Sequence, residues 1–328
     1  MFGLHGSAAA ASHENRRGLD RPMSEPSESV FLGGPGRRLI GVLCEPADES
    51  SRRPGVGILF VNAGNTHRVG PNRLYVTLSR ALARQGWVCC RFDLSGLGDS
   101  PPSNDGRCFR DSAVSDVRQV MNDLKRDRSL QEFVLVGVCG GADVAFDVAG
   151  ESAHVVGAVL VNGAFVDGEA FADAYHRAEK RTRRRFYRRR MLSVEGWARL
   201  LTLRSAFWKR LVRSIRRRCH VAPTENRRAA PGTMMDRSRR KWAALAERNI
   251  PVLLVFSQGS VFWDMFRVET RREILGSCPP DRLQLVRQKA TDHTFTLMSS
   301  QQRLTDTILS WLDSRIRSGQ PDEEADVA

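Results

Sequence analysis

Gly137-Val138-Cys139-Gly140-Gly141 sets a thiol at the centre of a Gly-x-Cys-x-Gly run, directly after the apolar stretch 133–138 and directly before the helical pattern GADVAFDVA. A nucleophile on such a sharp strand-to-helix turn stands clear of its neighbours, and small residues two positions either side let the backbone pass. The helix N-terminus then points free N–H groups at the thiol, which favours thiolate. The Gly140 N–H is an oxyanion donor, and the turn Asn62-Ala63-Gly64-Asn65 offers a second, assigned to Asn65. Far along the chain, Ala290-Thr291-Asp292-His293-Thr294-Phe295 puts a histidine on a loop before the last helical pattern. His293 is the expected general base, so that the sulfur attacks an ester or thioester carbonyl and an acyl-enzyme forms. The bland alternatives are a small buried hydrophobe for Cys139 and a solvated loop residue for His293. His67 and Arg68 follow the oxyanion turn and are candidates for holding a substrate carboxylate or phosphate, against a solvated pair as the alternative.

Alternating elements position these groups. Residues 29–46 read as two short strands around Gly34-Pro35-Gly36, and residues 55–61 as a strand buried on both faces. A helix follows over 71–85, with Pro71 at its start and Gly86 at its end. Residues 87–93 are the next strand; Cys89 and Cys90 are adjacent in it, face opposite sides and read as packing residues. Asp93, Ser95, Gly96 and Gly98 form a tight turn without the Lys of a phosphate-binding loop. Helix 112–126, strand 133–138, a helix, strand 155–163, strand 251–257, helix 262–275, strand 282–286 and helix 301–316 complete the alternation, which calls for a doubly wound, mostly parallel sheet.

Composition narrows the function. The 328 residues carry 51 Lys and Arg against 37 Asp and Glu, but residues 171–241 alone hold 23 against 5, so the rest of the chain is slightly acidic. The basic character is therefore an insertion and not a nucleic-acid-binding frame, and it matches no nucleic-acid module. Within it Trp197, Leu200, Leu201, Phe207, Trp208, Leu211, Val212 and Ile215 recur at spacings of three and four among arginines. Three uses stand open: a lid packed on the core, a lid that recruits an anionic carrier-bound acyl substrate, or a contact with a membrane surface. The chain shows no apolar run long enough to span a bilayer and no signal-peptide h-region, and its seven Cys form no C-x-x-C pair. A cytoplasmic protein with reduced thiols is expected, and no metal or organic cofactor is implied.

The segment AGNTHRVGPNRLYVTLSRALARQGWVCCRFDLSGLGDS, the elbow GVCGGA and the loop TDHTF resemble α/β hydrolases of the serine-aminopeptidase-like type. Within that group they are most similar to hydrolases found with exosortase and exopolysaccharide gene clusters; the Cys elbow by itself is also similar to that of dienelactone hydrolase. The resemblance implies the α/β-hydrolase fold and acyl chemistry, without a substrate. Its organisation would be a disordered leader at 1–28, core at 29–165, a helical Arg-rich cap at 166–246 after the sixth strand, core again at 247–316 and an acidic tail at 317–328. In this fold the acid follows the strand after the cap, a position that falls on Ser260 here; Asp264, four residues on, is the candidate orienting acid, against a solvent-facing helix residue as the alternative. A thiol–imidazole pair tolerates a neutral third partner. The expected activity is thus an esterase or thioesterase, with an acyltransferase or a non-catalytic scaffold as the alternatives.

Overall fold

The computed structural model describes residues 25–34, 36, 38–104, 106–166, 175–180, 233–258 and 260–316. Among them run β1 (Ser27–Gly33), β2 (Leu39–Glu45), β3 (Val56–Val61), β4 (Val88–Phe92), β5 (Glu132–Val138), β6 (Val155–Val161), β7 (Val252–Ser257) and β8 (Leu283–Gln288). They make one sheet in the order β1-β2-β4-β3-β5-β6-β7-β8. Only β1 and β2 are antiparallel to their neighbours; from β4 to β8 every pairing is parallel. β3 and β7 are buried at every position, and β5 and β6 at nearly every one, the outcome their unbroken apolar runs require.

Period-two alternation divides these strands between two cores. Ile58, Phe60, Cys89, Val134, Val136 and Leu253 point to one face, under α1 (Leu74–Ala83) and α7 (Met298–Arg315). Leu59, Val61, Cys90, Leu135, Leu160 and Leu254 point to the other, under α2 (Phe109–Arg128), α3 (Gly140–Glu151) and α4 (Thr233–Glu247). Cys89 and Cys90 fall on opposite faces, both fully enclosed, as their adjacency in a strand demands. The sheet order reverses at β3, which has β4 on one side and β5 on the other, and a ligand site belongs beyond the carboxyl ends of those strands.

Three expectations are corrected. Ser27 and Glu28, expected within the leader, lie in β1, and Glu28 is tied to Arg80 and to the buried Arg91, while residues 1–24 lie outside the described ones. The helix expected at 262–275 is broken into α5 (Val261–Met265), a π turn (Phe266–Thr270) and α6 (Arg271–Ser277). The wider turn lets Phe266 and Ile274, eight residues apart, both face the interior. Finally, residues 233–246 of the expected cap lie in α4, the helix that feeds β7, and α4 packs on α3 through Trp242 and Leu245. The apolar stripe from Trp197 to Ile215 and the acidic tail lie outside the described residues.

A buried ion pair fastens α4 to that core. Lys241, 7% exposed, reaches Asp147 on α3, whose other oxygen takes the Arg110 Nε at 2.5 Å. Removing one partner of a buried pair leaves an uncompensated charge, which costs about 3–5 kcal/mol. Asp147→Ala should lose that much in urea unfolding. Glu151→Ala, which removes a half-exposed carboxylate 3.7 Å from Lys241, should lose under about 1 kcal/mol.

Candidate active site

Cys139 has φ 55° and ψ −126°, a backbone conformation that L side chains rarely adopt, and such strain costs of order 1–3 kcal/mol. The flanking glycines make the turn sterically feasible. A methyl group on Gly137 would sit 2.2 Å from the Gly141 carbonyl oxygen, and one on Gly141 would sit 2.4 Å from that of Asn62. The turn is held from below by Tyr75, fully buried, whose hydroxyl donates to the Val61 carbonyl at 2.7 Å and accepts the Val138 N–H at 3.0 Å. One phenol thus couples the ends of β3 and β5, the two strands that carry the oxyanion turn and the elbow. Sequence reasoning missed it, since Tyr75 reads as one more apolar position of α1.

The oxyanion turn meets the elbow at Gly64. A methyl group on Gly140 would lie 3.4 Å from the Gly64 Cα and 3.6 Å from its nitrogen. Asn65 is exposed, one residue beyond this approach. A cavity of about 310 Å³ opens where Gly64 and Gly140 meet and is walled by Leu94, Phe109 and Val144. Asn62, buried beneath, has its amide spent on Thr66 and Asp93 and its oxygen on the Leu94 N–H.

His293 is brought to the same edge of the sheet by the end of β6. The Val161 carbonyl accepts the Cys139 N–H at 2.8 Å, and the side-chain amide of the next residue, Asn162, donates to the His293 carbonyl at 3.1 Å. The oxygen of Asn162, a fully buried residue, takes the Ser257 N–H at 2.9 Å, so this one side chain ties β6 to β7 and to the histidine loop. Within the loop, burial opposes ionisation of Asp292, but hydrogen bonds from Thr294 and Thr296 win and hold it down at about 2. The imidazole stacks on Phe262 at 5.2 Å between centroids, and its Nδ1 lies 3.3 Å from Ser260 Oγ. Ser260 caps α5 by accepting the Phe262 N–H. The contact expected of Asp264 is therefore made by the residue at the position where the fold places its acid, while Asp264 lies buried one turn along α5. No hydrogen bond joins the Cys139 sulfur to the His293 ring among the described residues, a looseness common in unliganded sites.

The electrostatics correct one expectation. Burial raises the Cys139 thiol above its ordinary value; the Gly140 N–H pulls it back only in part, and Asp143 adds to the rise. Burial likewise lowers His293, against the weaker pull of Asp292. Both groups rest neutral at pH 7, so the helix N-terminus does not produce a standing thiolate. The rate of Cys139 alkylation by iodoacetamide, followed by mass spectrometry, should therefore still climb roughly tenfold per pH unit from pH 7 to 9. A plateau reached below pH 8 would mean a preformed ion pair.

His67 and Arg68 do not border the cavity. Arg68 Nη1 lies 2.5 Å from Asp93 Oδ2, 2.7 Å from Asp99 Oδ2 and 2.7 Å from His67 Nε2. His67, Asp93 and Asp99 are the one group among the described residues spaced like metal ligands, and the guanidinium occupies the place a cation would take. The glycine turn of residues 93–98 is structural: a methyl group on Gly98 would lie 2.2 Å from Asp93 Oδ2.

Sheet order, elbow after β5 and histidine loop after β8 together define an α/β hydrolase. The model of the Serine aminopeptidase, S33 family matches residues 67–259, more than half of the chain, and the chain belongs to that family. Similar solved structures include a Pyrococcus furiosus esterase (TM-score 0.56, 12% identity, 89% of this chain and 94% of that one). Others are a Mycobacterium smegmatis proline iminopeptidase (0.54, 14%, 89% and 100%) and an Anabaena variabilis dienelactone hydrolase (0.53, 14%, 89% and 99%). At these identities the likeness is one of fold. No curated protein matches the sequence. The family name specifies a serine, and the residue at this chain's elbow is Cys139.

Proposed function

We propose that the chain hydrolyses an ester or thioester through Cys139, with His293 as general base. The observation that carries this reading is the strained Cys139 backbone at an elbow whose next residue packs against Gly64, since such strain persists where the surroundings impose it. His293 takes the thiol proton as the sulfur bonds to the carbonyl carbon, and the Gly64 and Gly140 N–H groups receive the oxyanion. Gly64 replaces Asn65 in that role because it is the residue in contact. The leaving alkoxide or thiolate departs with the proton from His293. Water then gives a proton to His293 and attacks the acyl carbon, and the sulfur leaves and regains its proton. Ser260, whose Oγ lies 3.3 Å from Nδ1, orients the imidazole in the role expected of Asp264.

The finer parts of the reading follow from the sequence. The basic segment would draw an anionic, carrier-bound acyl group or a membrane surface, and the reduced thiols suit the cytoplasm. No helix among the described residues is long and apolar enough to cross a membrane. The resemblance to hydrolases of exopolysaccharide clusters favours a carbohydrate hydroxyl as a second acceptor beside water. Incubation with an activated acyl thioester and acid quench should leave the acyl mass on the Cys139 peptide in wild type and not in Cys139→Ala. Equal labelling of the two would end the proposal. Adding a carbohydrate acceptor then separates transfer, which yields an acylated sugar, from hydrolysis, which yields free acid.

A further inference from the structure

Along the cavity wall that starts at Gly140, the apolar lining is interrupted by Asp143 on α3 and Arg110 on α2. Asp143 stands four residues beyond Cys139, on the first turn of α3, near enough for its charge to act on the thiol. One carboxylate oxygen, Oδ1, accepts both the Ala164 and Phe165 N–H groups, at 3.0 and 2.7 Å. That part of the side chain is structural, since it closes the turn after β6, where Phe165 has φ 57°. Oδ2 takes part in neither bond and is the atom left to the cavity.

We propose that Asp143 Oδ2 is a specificity contact for the acyl chain, receiving a hydroxyl carried two or three carbons beyond the reacting carbonyl. This rests on the hydrolase reading and adds its substrate class, a hydroxyacyl ester or thioester. The position follows from the cavity that Asp143 shares with Gly64 and with Gly140, the residue next to the nucleophile. The chemistry follows from what shares the wall. An ammonium brought to Asp143 would also meet the Arg110 guanidinium, and a carboxylate brought to Arg110 would also meet Asp143 and Asp147. A neutral hydroxyl meets neither repulsion. Burial pushes Asp143 up to about 7, against the two N–H groups and Arg110, so both protonation states are populated near neutrality. A hydroxyl donates to the carboxylate and accepts from the acid, and so serves both. A purely alkyl chain would leave the carboxyl desolvated without a partner, which is how polar sites reject apolar analogues.

The test compares S-hexanoyl- and S-(3-hydroxyhexanoyl)-N-acetylcysteamine. Wild type should favour the hydroxyacyl thioester in kcat/KM by at least about tenfold, equivalent to about 1.4 kcal/mol, and Asp143→Ala should bring the ratio near one. Asp143→Asn, which keeps an oxygen for the two N–H groups and a polar partner for the hydroxyl, should retain most of the preference; it serves if the alanine variant fails to fold. Equal turnover of the two by wild type would overturn the specificity while leaving hydrolysis standing. Absence of turnover together with absence of acyl-Cys139 would remove both. A third readout needs no turnover: 3-hydroxyhexanamide should protect Cys139 from iodoacetamide at a lower concentration than hexanamide does. The same concentration for both would overturn the proposal.

Discussion

Cys139→Ala should cut thioester hydrolysis by at least about a thousandfold, to the residue that an oxyanion hole and binding sustain without a nucleophile. The loss should come in kcat with KM little changed, because the thiol forms its bond only as the reaction proceeds. Stability supplies the second half of the same experiment. Alanine inherits φ 55° and with it the strain, so its unfolding midpoint should stay close to wild type. Glycine is at ease at that φ, and Cys139→Gly should be as inactive as alanine yet more stable by about 1 kcal/mol or more, within the 1–3 kcal/mol such strain stores. The carbonyl at Val161 and the contact with Gly64 would thus hold a conformation that costs stability and serves only a reaction. Matched thermal melts of the three proteins check this. A glycine variant less stable than alanine would mean that the elbow is not strained.

Much of this arrangement could be read from residue order alone. Continuous apolar runs at residues 55–61, 133–138, 155–163 and 251–257 gave β3, β5, β6 and β7, and the small residues around Cys139 gave the elbow, since both signals are local. What sequence could not supply depends on residues far apart meeting. Tyr75 looks like an ordinary core aromatic until its hydroxyl lies between Val61 and Val138. Asn162 falls near the end of the run read as strand 155–163, where nothing local marks it, yet it is fully enclosed and ties β6 to β7 and to the histidine loop. The thiol illustrates a contest of magnitudes: the helix N-terminus is legible in sequence, but the burial that outweighs it is a property of the closed fold. Arg68 shows the reverse case, a basic residue beside an oxyanion turn whose charge is spent on Asp93 and Asp99.

The pairing of a cysteine with Ser260 where the fold expects an acid predicts a coupled pair of substitutions. Ser260→Asp keeps the helix cap, since aspartate caps as well as serine, and sets a carboxylate where Oγ now lies 3.3 Å from Nδ1. An opposite charge at that range raises a histidine pKa by about 1–3 units. Catalysis needs neutral His293, whose pKa burial now lowers, so the acid limb of the pH–rate profile should move to higher pH by that amount in Ser260→Asp. With the thiol as nucleophile the gain above the limb should be modest, about tenfold or less, because sulfur gives up its proton readily. A hydroxyl does not, and Cys139→Ser alone should be nearly as inactive as alanine. Adding Ser260→Asp to Cys139→Ser should recover at least about a hundredfold, by comparison with the roughly ten-thousandfold that loss of the acid costs a serine triad. The cycle would then show a coupling of about 1.4 kcal/mol if the thiol enzyme gains tenfold, rising to about 2.7 kcal/mol if it gains nothing, between two positions linked through one imidazole. Additive effects, with the double variant no better than the product of the singles, would mean that Ser260 does not act through His293 and that another group, Asp264 foremost, orients the ring.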